Sequence, residues 1–402
     1  MNINFHYFAV KAVALEAGFS ENEAQRISMF SQFVDDFADD SVKIVKTIPP
    51  WAQHLAKKMG GYWLFTPVRT GFNGVLDYVD FLSYQSRMDI TMPFHFIPSE
   101  PWAQINKNAR ENYRVKPAVL GDGSLISEFL YTAQDAILSE KEARDVSLMR
   151  IGMLLHTFAD TYAHQNFSGD WGWENHAKLE QVINNTDDDD LTECFTGWAK
   201  DLPDANGEHD LEFSLLPSIG HANVITAPDD SYITFSMSQR VKKGDGYNLK
   251  TKERNNTILF CEAAKEMLRF LLCCNGQGPL DENKWASFEK CLRGGLLSSG
   301  RNHDLLSRHW MGCFEGHSFI EPCFFFNYNK KDVLENINSP TLQTVVDDAA
   351  GAADNELLLN LAVKHDISPI VYKNLSESYL RYSVEAYKIR DAAMNGGYVI
   401  NC

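Results

Sequence analysis

The sequence predicts a mainly α-helical protein, and three patterns support this fold class. Apolar residues recur at helical spacing near the amino end, between residues 124 and 167, and again beyond residue 250. Ser20 and Glu23 carry the signature of a capping box that opens a helix. Only residues 231–238 favour a strand. We therefore expect a multi-helix bundle with a loop-rich insert and a further helical region at the carboxyl end.

The predicted elements follow from these patterns in chain order. One helix covers 4–18, and a second runs from Ser20 to about Ala38. Prolines and glycines make residues 59–75 and 92–101 irregular. A short helical segment is expected in WENHAKLEQVI, after Trp173. The remaining helices are expected at 124–139, 140–167, 253–275, 283–299, 341–363 and 370–394.

Composition and charge narrow the classes of function. The formal net charge is −17, which argues against a broad basic surface that grips a nucleic-acid backbone. We therefore expect no stable nucleic-acid complex. A nuclease is not excluded, because bound divalent metals can supply the positive charge that meets a phosphate.

The amino end and the cysteines bear on localisation. The first residues lack a secretory signal, and no run of 18 apolar residues occurs, so we expect a cytoplasmic protein by default. Export by a dedicated secretion machine stays open. The eight cysteines show no CxxC pair and are interpreted as reduced core thiols. Metal binding, if present, must therefore use histidines and carboxylates.

The strongest motif is the triplet His156, Asp160 and His164 on one predicted helix. Residues four apart turn by only about 40° per step, so the three side chains share one face. The outer two lie about 12 Å apart, which is too far for one ion. Asp160 could instead bridge one ion bound by His156 to another bound by His164. The competing interpretation is a core helix with buried, hydrogen-bonded polar groups.

Other candidate ligands lie on both sides of this helix. His176 and Glu180 are four residues apart and follow closely, whereas His221 and Asp229 lie in a later loop. The sequence does not decide which of these two pairs completes the last metal site. Earlier candidates are dispersed along the chain: His6, Asp35, Asp36 and His95. Imidazole nitrogens and carboxylate oxygens are ligands that zinc prefers.

In this order of residues the chain resembles the zinc-dependent phospholipase C and single-strand nuclease superfamily. The segment HTFADTYAHQNFSG, from His156, and the GHxxxxxxPD segment around His221 resemble relatives that lack signal peptides. The resemblance covers roughly residues 1–230. The segment KKGDGYN, within 240–250, indicates a soft boundary. We therefore expect a phospholipase C-like helical domain at 1–245, followed by a helical region at 246–402 that can pack as part of the same domain. The implied ligands of two or three zinc ions are His6, Asp36, His95, His156, Asp160, His164, His176, Glu180 and His221.

The resemblance also implies a reaction, and the chain departs from the secreted enzymes in two places. We expect hydrolysis of a phospholipid or other phosphodiester, with Asp35 or Asp36 as the base and with transient contact to a membrane surface. The alternatives are a nuclease of the same superfamily and a non-catalytic, zinc-stabilised interaction protein. The chain begins with Met1 where the secreted phospholipases have a tryptophan that binds zinc, and its spacing from Asp160 to His164 is shorter.

Overall fold

A computed structural model of the chain describes residues 1–72, 81–196, 217–244, 246–300, 302–317, 328–347, 349–353, 356–365 and 368–400. The structure is 51% helical and 14% strand, with one five-stranded and one three-stranded sheet. The prediction of a mainly α-helical fold is therefore wrong, and the fold is mixed α and β. Five of the strands are only two to four residues long. Such strands leave almost no local periodicity in a sequence.

Most of the predicted helices are present, with altered ends. The helix expected at 341–363 is wrong, since the described residues there form two helices, Gln343–Asp347 and Glu356–His365, with the strand Gly351–Ala352 between them. The capping box is confirmed, since the backbone N–H of Ser20 donates to the Glu23 carboxylate at 3.0 Å. The first helix starts as a π-helical segment, Asn4–Ala9, and a second π-helical segment spans Arg87–His95. Besides a single α-helical turn at Tyr84–Ser86, the α-helices of the described residues are α1 (Val10–Glu16), α2 (Glu21–Asp36), α3 (Leu125–Leu138), α4 (Arg144–Ala163), α5 (Thr192–Thr196), α6 (Asn256–Cys274), α7 (Glu282–Leu296), α8 (His303–Cys313), α9 (Lys330–Asn336), α10 (Gln343–Asp347), α11 (Glu356–His365) and α12 (Glu377–Asn395).

Within the described ranges, eight strands form the two sheets. They are β1 (Lys43–Val45), β2 (Ala56–Met59), β3 (Tyr62–Phe65), β4 (Ala177–Asn184), β5 (Ile233–Lys243), β6 (Gly246–Asn255), β7 (Gly351–Ala352) and β8 (Ile370–Tyr372). The larger sheet has the order β2-β3-β1-β8-β7, in which β1 and β8 pair in parallel. The smaller sheet is antiparallel, with the order β4-β5-β6.

Two local predictions from the sequence have opposite outcomes. The strand expected at 231–238 is confirmed. It is β5, which extends further along the chain and ends at Lys243. The helical segment expected after Trp173 is wrong beyond its first turn, since Trp173–Asn175 is a short 3-10 turn and the chain then enters β4. A β-bulge between Leu179 and Gln181 shifts the register of β4. The shift breaks the apolar alternation that would identify a strand.

The long helices α2 and α4 form the centre of the main apolar core. A Cβ added at Gly152 of α4 would lie only 2.3 Å from the carbonyl oxygen of Ile27 on α2. This glycine therefore permits the close approach of the two helices. Buried residues from Met1 to Ala393 join the same core, so it draws on both sides of the predicted domain boundary at residue 245.

Two further predictions can be compared with the described residues. No described helix combines the length and apolar character needed to cross a bilayer. Six cysteines lie in the described part and all are free thiols. Cys261 and Cys274 are buried, as predicted for core thiols, whereas Cys194 and Cys273 are exposed. The other two, at positions 323 and 402, lie outside the described residues.

Candidate metal centre

Helix α4 places its polar triplet on one buried face. His156 and Asp160 are 0% and 1% exposed, and His164, 4% exposed, directly follows the last residue of the helix. Around this triplet the structure gathers three groups of three potential metal ligands, within each of which the ligand atoms lie within 4.8 Å of one another. The groups are His6, His156 and Asp160; Asp35, His95 and His156; and His164, His221 and Asp229.

The first group joins the amino-terminal π-helical segment to α4. Nε2 of His6 lies 3.2 Å from Oδ1 of Asp160. The rings of His6 and His156 stack with 3.8 Å between their centroids. Nδ1 of His6 is buried without a hydrogen-bond partner among the described residues, and Nε2 faces the Asp160 carboxylate. Buried polar nitrogens of this kind are costly unless something else binds them.

The second group brings α2 and the Arg87–His95 segment to the same helix. Nδ1 of His95 and Nε2 of His156 lie 3.2 Å apart, and each is 3.7 Å from Oδ1 of Asp35. Both nitrogens also lie 3.3 Å from Oδ2 of Asp160. Asp160 therefore directs one oxygen at the first group and the other at the second. This is the geometry of a bridging carboxylate.

The third group lies at the carboxyl end of α4 and includes a loop before β5. Nε2 of His164 is 3.0 Å from Oδ1 of Asp229, and Nε2 of His221 is 3.3 Å from Oδ2. Each oxygen of this carboxylate thus faces one imidazole. The ring of Phe96 stacks on His164 with 4.3 Å between centroids and fixes the plane of that ring.

Backbone carbonyls orient three of the five histidines from behind. Nε2 of His95 donates to the carbonyl of Thr70 at 2.8 Å, Nδ1 of His164 to the carbonyl of His95 at 2.5 Å, and Nδ1 of His221 to the carbonyl of Ile225 at 2.6 Å. A carbonyl oxygen can only accept, so the hydrogen must lie on these nitrogens. In a neutral ring the other nitrogen then presents a lone pair to the carboxylates. Metal-binding histidines are commonly oriented in this way.

Electrostatics favour the protonation states that a metal requires at Asp160, Asp229 and His221, but not at His95, where Asp160 and Asp35 outweigh burial and raise the pKa of the imidazole. Burial would raise the pKa of Asp160, but nearby His164, the Met1 amine and His156 outweigh it and hold that pKa well below its usual range. The pKa of Asp229 is likewise held low, because the Met1 amine, His221 and His164 outweigh burial. Burial lowers the pKa of His221 to about 4. Ionised carboxylates and a neutral imidazole are the forms that bind metal.

The amino group of Met1 lies between two of the groups. It is 2.5 Å from Oδ1 of Asp160 and 3.1 Å from Oδ1 of Asp229. Burial opposes its charge, but Asp160, Asp229 and Asp35 together raise the pKa of this amine to about 10. The amine therefore lies between the carboxylates of Asp160 and Asp229.

The three groups border an open cleft of about 320 Å³. Asp35, His95, Asp160, His164, His221 and Asp229 line one side of it. Phe72, Phe81 and Phe96 contribute apolar wall. Asp35 retains 32% side-chain exposure, so a substrate in the cleft could reach it. The ligand groups therefore face a space in which a small polar group with an apolar attachment can bind.

Some predicted site residues are not part of this centre. Asp36, predicted as a ligand and as a base, borders a different pocket with Gln32 and Tyr328. Adjacent residues on a helix point about 100° apart, so when Asp35 faces the centre Asp36 cannot. His176 directly precedes β4 and Glu180 lies within it. Neither belongs to any of the three groups. Glu180 instead pairs with Lys178 at 3.5 Å. The predicted pair depended on a helix that is absent.

The structure brings together the remaining predicted residues: His6, Asp35, His95, His156, Asp160, His164 and His221. Asp229, which the sequence offered only as an alternative, completes the third group. The carbonyls of Thr70 and Ile225 carried no sequence signal, because any residue supplies a carbonyl.

Comparison with known proteins gives a family but no function. The model of a family described as "Family of unknown function (DUF6765)" matches residues 1–392. No curated protein matches the chain. No solved structure matches it.

Proposed function

The chain belongs to the family of unknown function DUF6765, and from its own site we propose that it is a zinc-dependent phosphodiester hydrolase of the phospholipase C type. The observation that supports this proposal best is the arrangement of three His-carboxylate groups along one open cleft, with Asp160 shared between two of them. The proposed ligands are His6, His95, His156, Asp160, His164, His221 and Asp229, together with Asp35.

The chemistry of the donor set fits zinc. Zinc takes imidazole nitrogens and carboxylate oxygens, usually three or four in a site. Each group offers three such atoms, and the backbone carbonyls behind His95, His164 and His221 supply the outer hydrogen bonds that zinc ligands usually have. Zinc bound there would polarise the phosphodiester and lower the pKa of water towards neutrality.

The residues of the chain would then bind and orient the substrate. Asp35 is the carboxylate most open to the cleft, and burial raises its pKa, although His156 and His95 oppose that shift. A carboxylate with a raised pKa is a better proton acceptor, so Asp35 is suited to orient the attacking water. The apolar wall formed by Phe72 and Phe81 would contact the carbon-rich part of the substrate.

The openness of the cleft bears on the non-catalytic alternative. A structural zinc site is closed by protein ligands, whereas a catalytic site keeps a position for water or substrate. Here the ligand groups border open space, which favours catalysis. A nuclease is the second candidate, because Phe72 and Phe81, whose ring centroids lie 5.8 Å apart, could also stack a base.

The first test is the metal content of the untagged protein, purified without chelators and measured by elemental analysis. We expect two or three zinc ions per chain, fewer in His156→Ala, and no change in His54→Ala, whose side chain is exposed. The same preparations would be assayed on phosphatidylcholine and on single-stranded DNA. Less than half an equivalent of metal per chain would refute the proposal, and cleavage of DNA alone would favour the nuclease.

A further inference from the structure

A basic ribbon stands out on an otherwise acidic chain. Residues 240–250 contain Arg240, Lys242, Lys243 and Lys250 but one carboxylate, Asp245, so the segment has a net charge of +3 within a chain of −17. Its three lysines are exposed. We infer that this far half of the β5–β6 hairpin docks the protein on an anionic lipid surface.

The shape of the hairpin separates these charges from the acidic remainder. Strand β4 pairs with β5 only as far as Ala177 opposite Gln239. Beyond that point β5 and β6 continue as two strands, with Lys243 opposite Gly246 at the turn. The four residues of β5 after Gln239 extend about 13 Å past the end of the pairing with β4. Salt screens charges over about 8 Å at physiological ionic strength. The acidic bulk therefore weakens the attraction of the ribbon to an anionic surface only in part.

One face of the ribbon combines cations with apolar groups. Arg240 pairs with Leu249 and Lys242 pairs with Tyr247 across the two strands, and directly opposed residues share a face. Tyr247 is 48% exposed and Leu249 is 59% exposed. Apolar side chains among lysines and arginines suit the boundary between lipid headgroups and acyl chains.

This face is continuous with aromatic groups near the cleft. The ring of Trp173 packs on Tyr247 with 5.0 Å between centroids. Nearby Trp171 is 52% exposed and forms a β-bridge with Ile219, two residues before the candidate ligand His221. Docking by the ribbon would thus place the neighbourhood of the metal centre close to the lipid.

The occupied ring faces favour lipid over single-stranded nucleic acid. The ring of Trp173 packs against Tyr247 at a tilt of 48°, and the guanidinium of Arg240 lies 5.0 Å from the centroid of the Tyr247 ring. Bases bind such proteins by stacking on open aromatic faces, and Leu249 offers none. The choice of a lipid surface also rests on the proposed phospholipase function. The presence of the basic ribbon is independent of that function.

The test is sedimentation with vesicles of phosphatidylcholine alone and of phosphatidylcholine mixed with phosphatidylglycerol. The ribbon variant is Lys242→Ser with Lys243→Ser and Lys250→Ser. Its control, Lys57→Ser with Lys284→Ser and Lys331→Ser, removes the same charge from exposed lysines elsewhere. We expect the wild type and the control to bind the anionic vesicles, and the ribbon variant to bind at least about tenfold more weakly. A single Leu249→Ser change should also weaken binding.

Three results would overturn the inference. These are equal binding by the ribbon variant, equal binding to neutral and anionic vesicles, and ribbon-dependent binding to a single-stranded DNA oligomer without binding to vesicles. Metal content and hydrolysis of a soluble short-chain lipid are measured on the same preparations. Loss of metal and hydrolysis with retained vesicle binding would refute the proposed function alone, so the two failures can be told apart.

Discussion

Nε2 of His164 lies 3.0 Å from Oδ1 of Asp229, although 65 residues separate the two in the chain. The imidazole hydrogen is on the opposite nitrogen, where it is donated to the carbonyl of His95. In a neutral ring, a lone pair and a carboxylate therefore face each other across a distance that only a proton or a cation makes favourable. The pairing also selects the loop before β5, rather than the start of β4, as the partner of α4.

The first prediction concerns this third group. Asp229→Asn removes the charge that faces both His164 and His221, so we expect the loss of about one metal ion per chain by elemental analysis. Glu180→Gln is the matched control, because Glu180 is an exposed carboxylate that pairs with Lys178. Loss of metal in the control, with none lost in Asp229→Asn, would contradict this assignment.

The second prediction separates two adjacent carboxylates. Asp35→Asn should lower the rate of phosphodiester hydrolysis at least about 100-fold, because it alters a ligand group that faces the cleft. Asp36→Asn should keep most of the rate, since Asp36 borders another pocket. Steady-state assays on both variants, with unfolding temperatures as a check on folding, would decide the question. A larger loss of rate in Asp36→Asn than in Asp35→Asn would contradict the assignment of Asp35 to the cleft.

The third prediction concerns the contact between α2 and α4. Gly152→Ala introduces a methyl group 2.3 Å from the carbonyl of Ile27, so we expect a loss of about 1–3 kcal/mol in the free energy of unfolding. Gly312 lies within α8 with nothing within 4 Å of an added Cβ. Gly312→Ala should therefore stabilise the protein by up to about 1 kcal/mol. Denaturant unfolding of both variants would test the opposite signs.

The fourth prediction concerns a buried ion pair between α4 and α12. Nε of Arg150 lies 2.9 Å from the carboxylate of Glu385, and the two side chains are 2% and 3% exposed. Glu385→Gln leaves a buried guanidinium with less charge compensation, so we expect a loss of about 3 kcal/mol. Glu377→Gln is the control, because Glu377 is exposed and its pair with Arg381 should contribute no more than about 0.5 kcal/mol.

The same pair gives a pH dependence. Burial would raise the pKa of Glu385, but Arg150 outweighs it, and the pKa lies below the ordinary value of 4.5. The stability that this carboxylate contributes is therefore complete above pH 4.5 and is lost as the pH falls through the lowered pKa. The difference in unfolding free energy between wild type and Glu385→Gln should shrink as the pH is lowered below 4.5. A constant difference would argue against an ionic contribution.

The local part of the centre was readable in the sequence, because a helix converts spacing directly into direction. Residues 156, 160 and 164 share a face for any regular helix, and their burial follows from the apolar residues around them. The choice between Asp35 and Asp36 was not readable. It depends on how α2 is rotated against α4, which the contact at Gly152 determines. That contact carries no signal beyond a single glycine.

The small sheets were missed for a different reason. Ile44 on β1 pairs with Val371 on β8. The sequence around either residue contains no pattern that predicts a partner so distant in the chain. In β4 the apolar alternation was present but shifted by the bulge after Leu179. The pattern of the segment is therefore also compatible with a helix. The prediction that His176 and Glu180 share one face holds only for a helix.

The fifth prediction concerns removal of metal. A ligand that binds only the folded state stabilises it by about 4 kcal/mol at 1,000 times its dissociation constant. We therefore expect a chelator to lower the unfolding temperature of the wild type clearly. In His156→Ala, which should hold less metal, the same treatment should have a smaller effect. Equal shifts in the two proteins, measured by differential scanning calorimetry, would contradict a role for these ligands.

The three ligand groups also constrain the connectivity of the chain. Their members are drawn from residue 6 to residue 229, and a bound ion would join residues as far apart in the chain as His6 and His156, which are 150 positions apart. The entropic cost of closing the loop between two such residues grows only slowly with its length. Because the ions bind only the folded state, they would stabilise it by joining segments that are far apart in the chain. The concentration of free metal in the cell would then influence the fraction of the protein that is folded, independently of substrate.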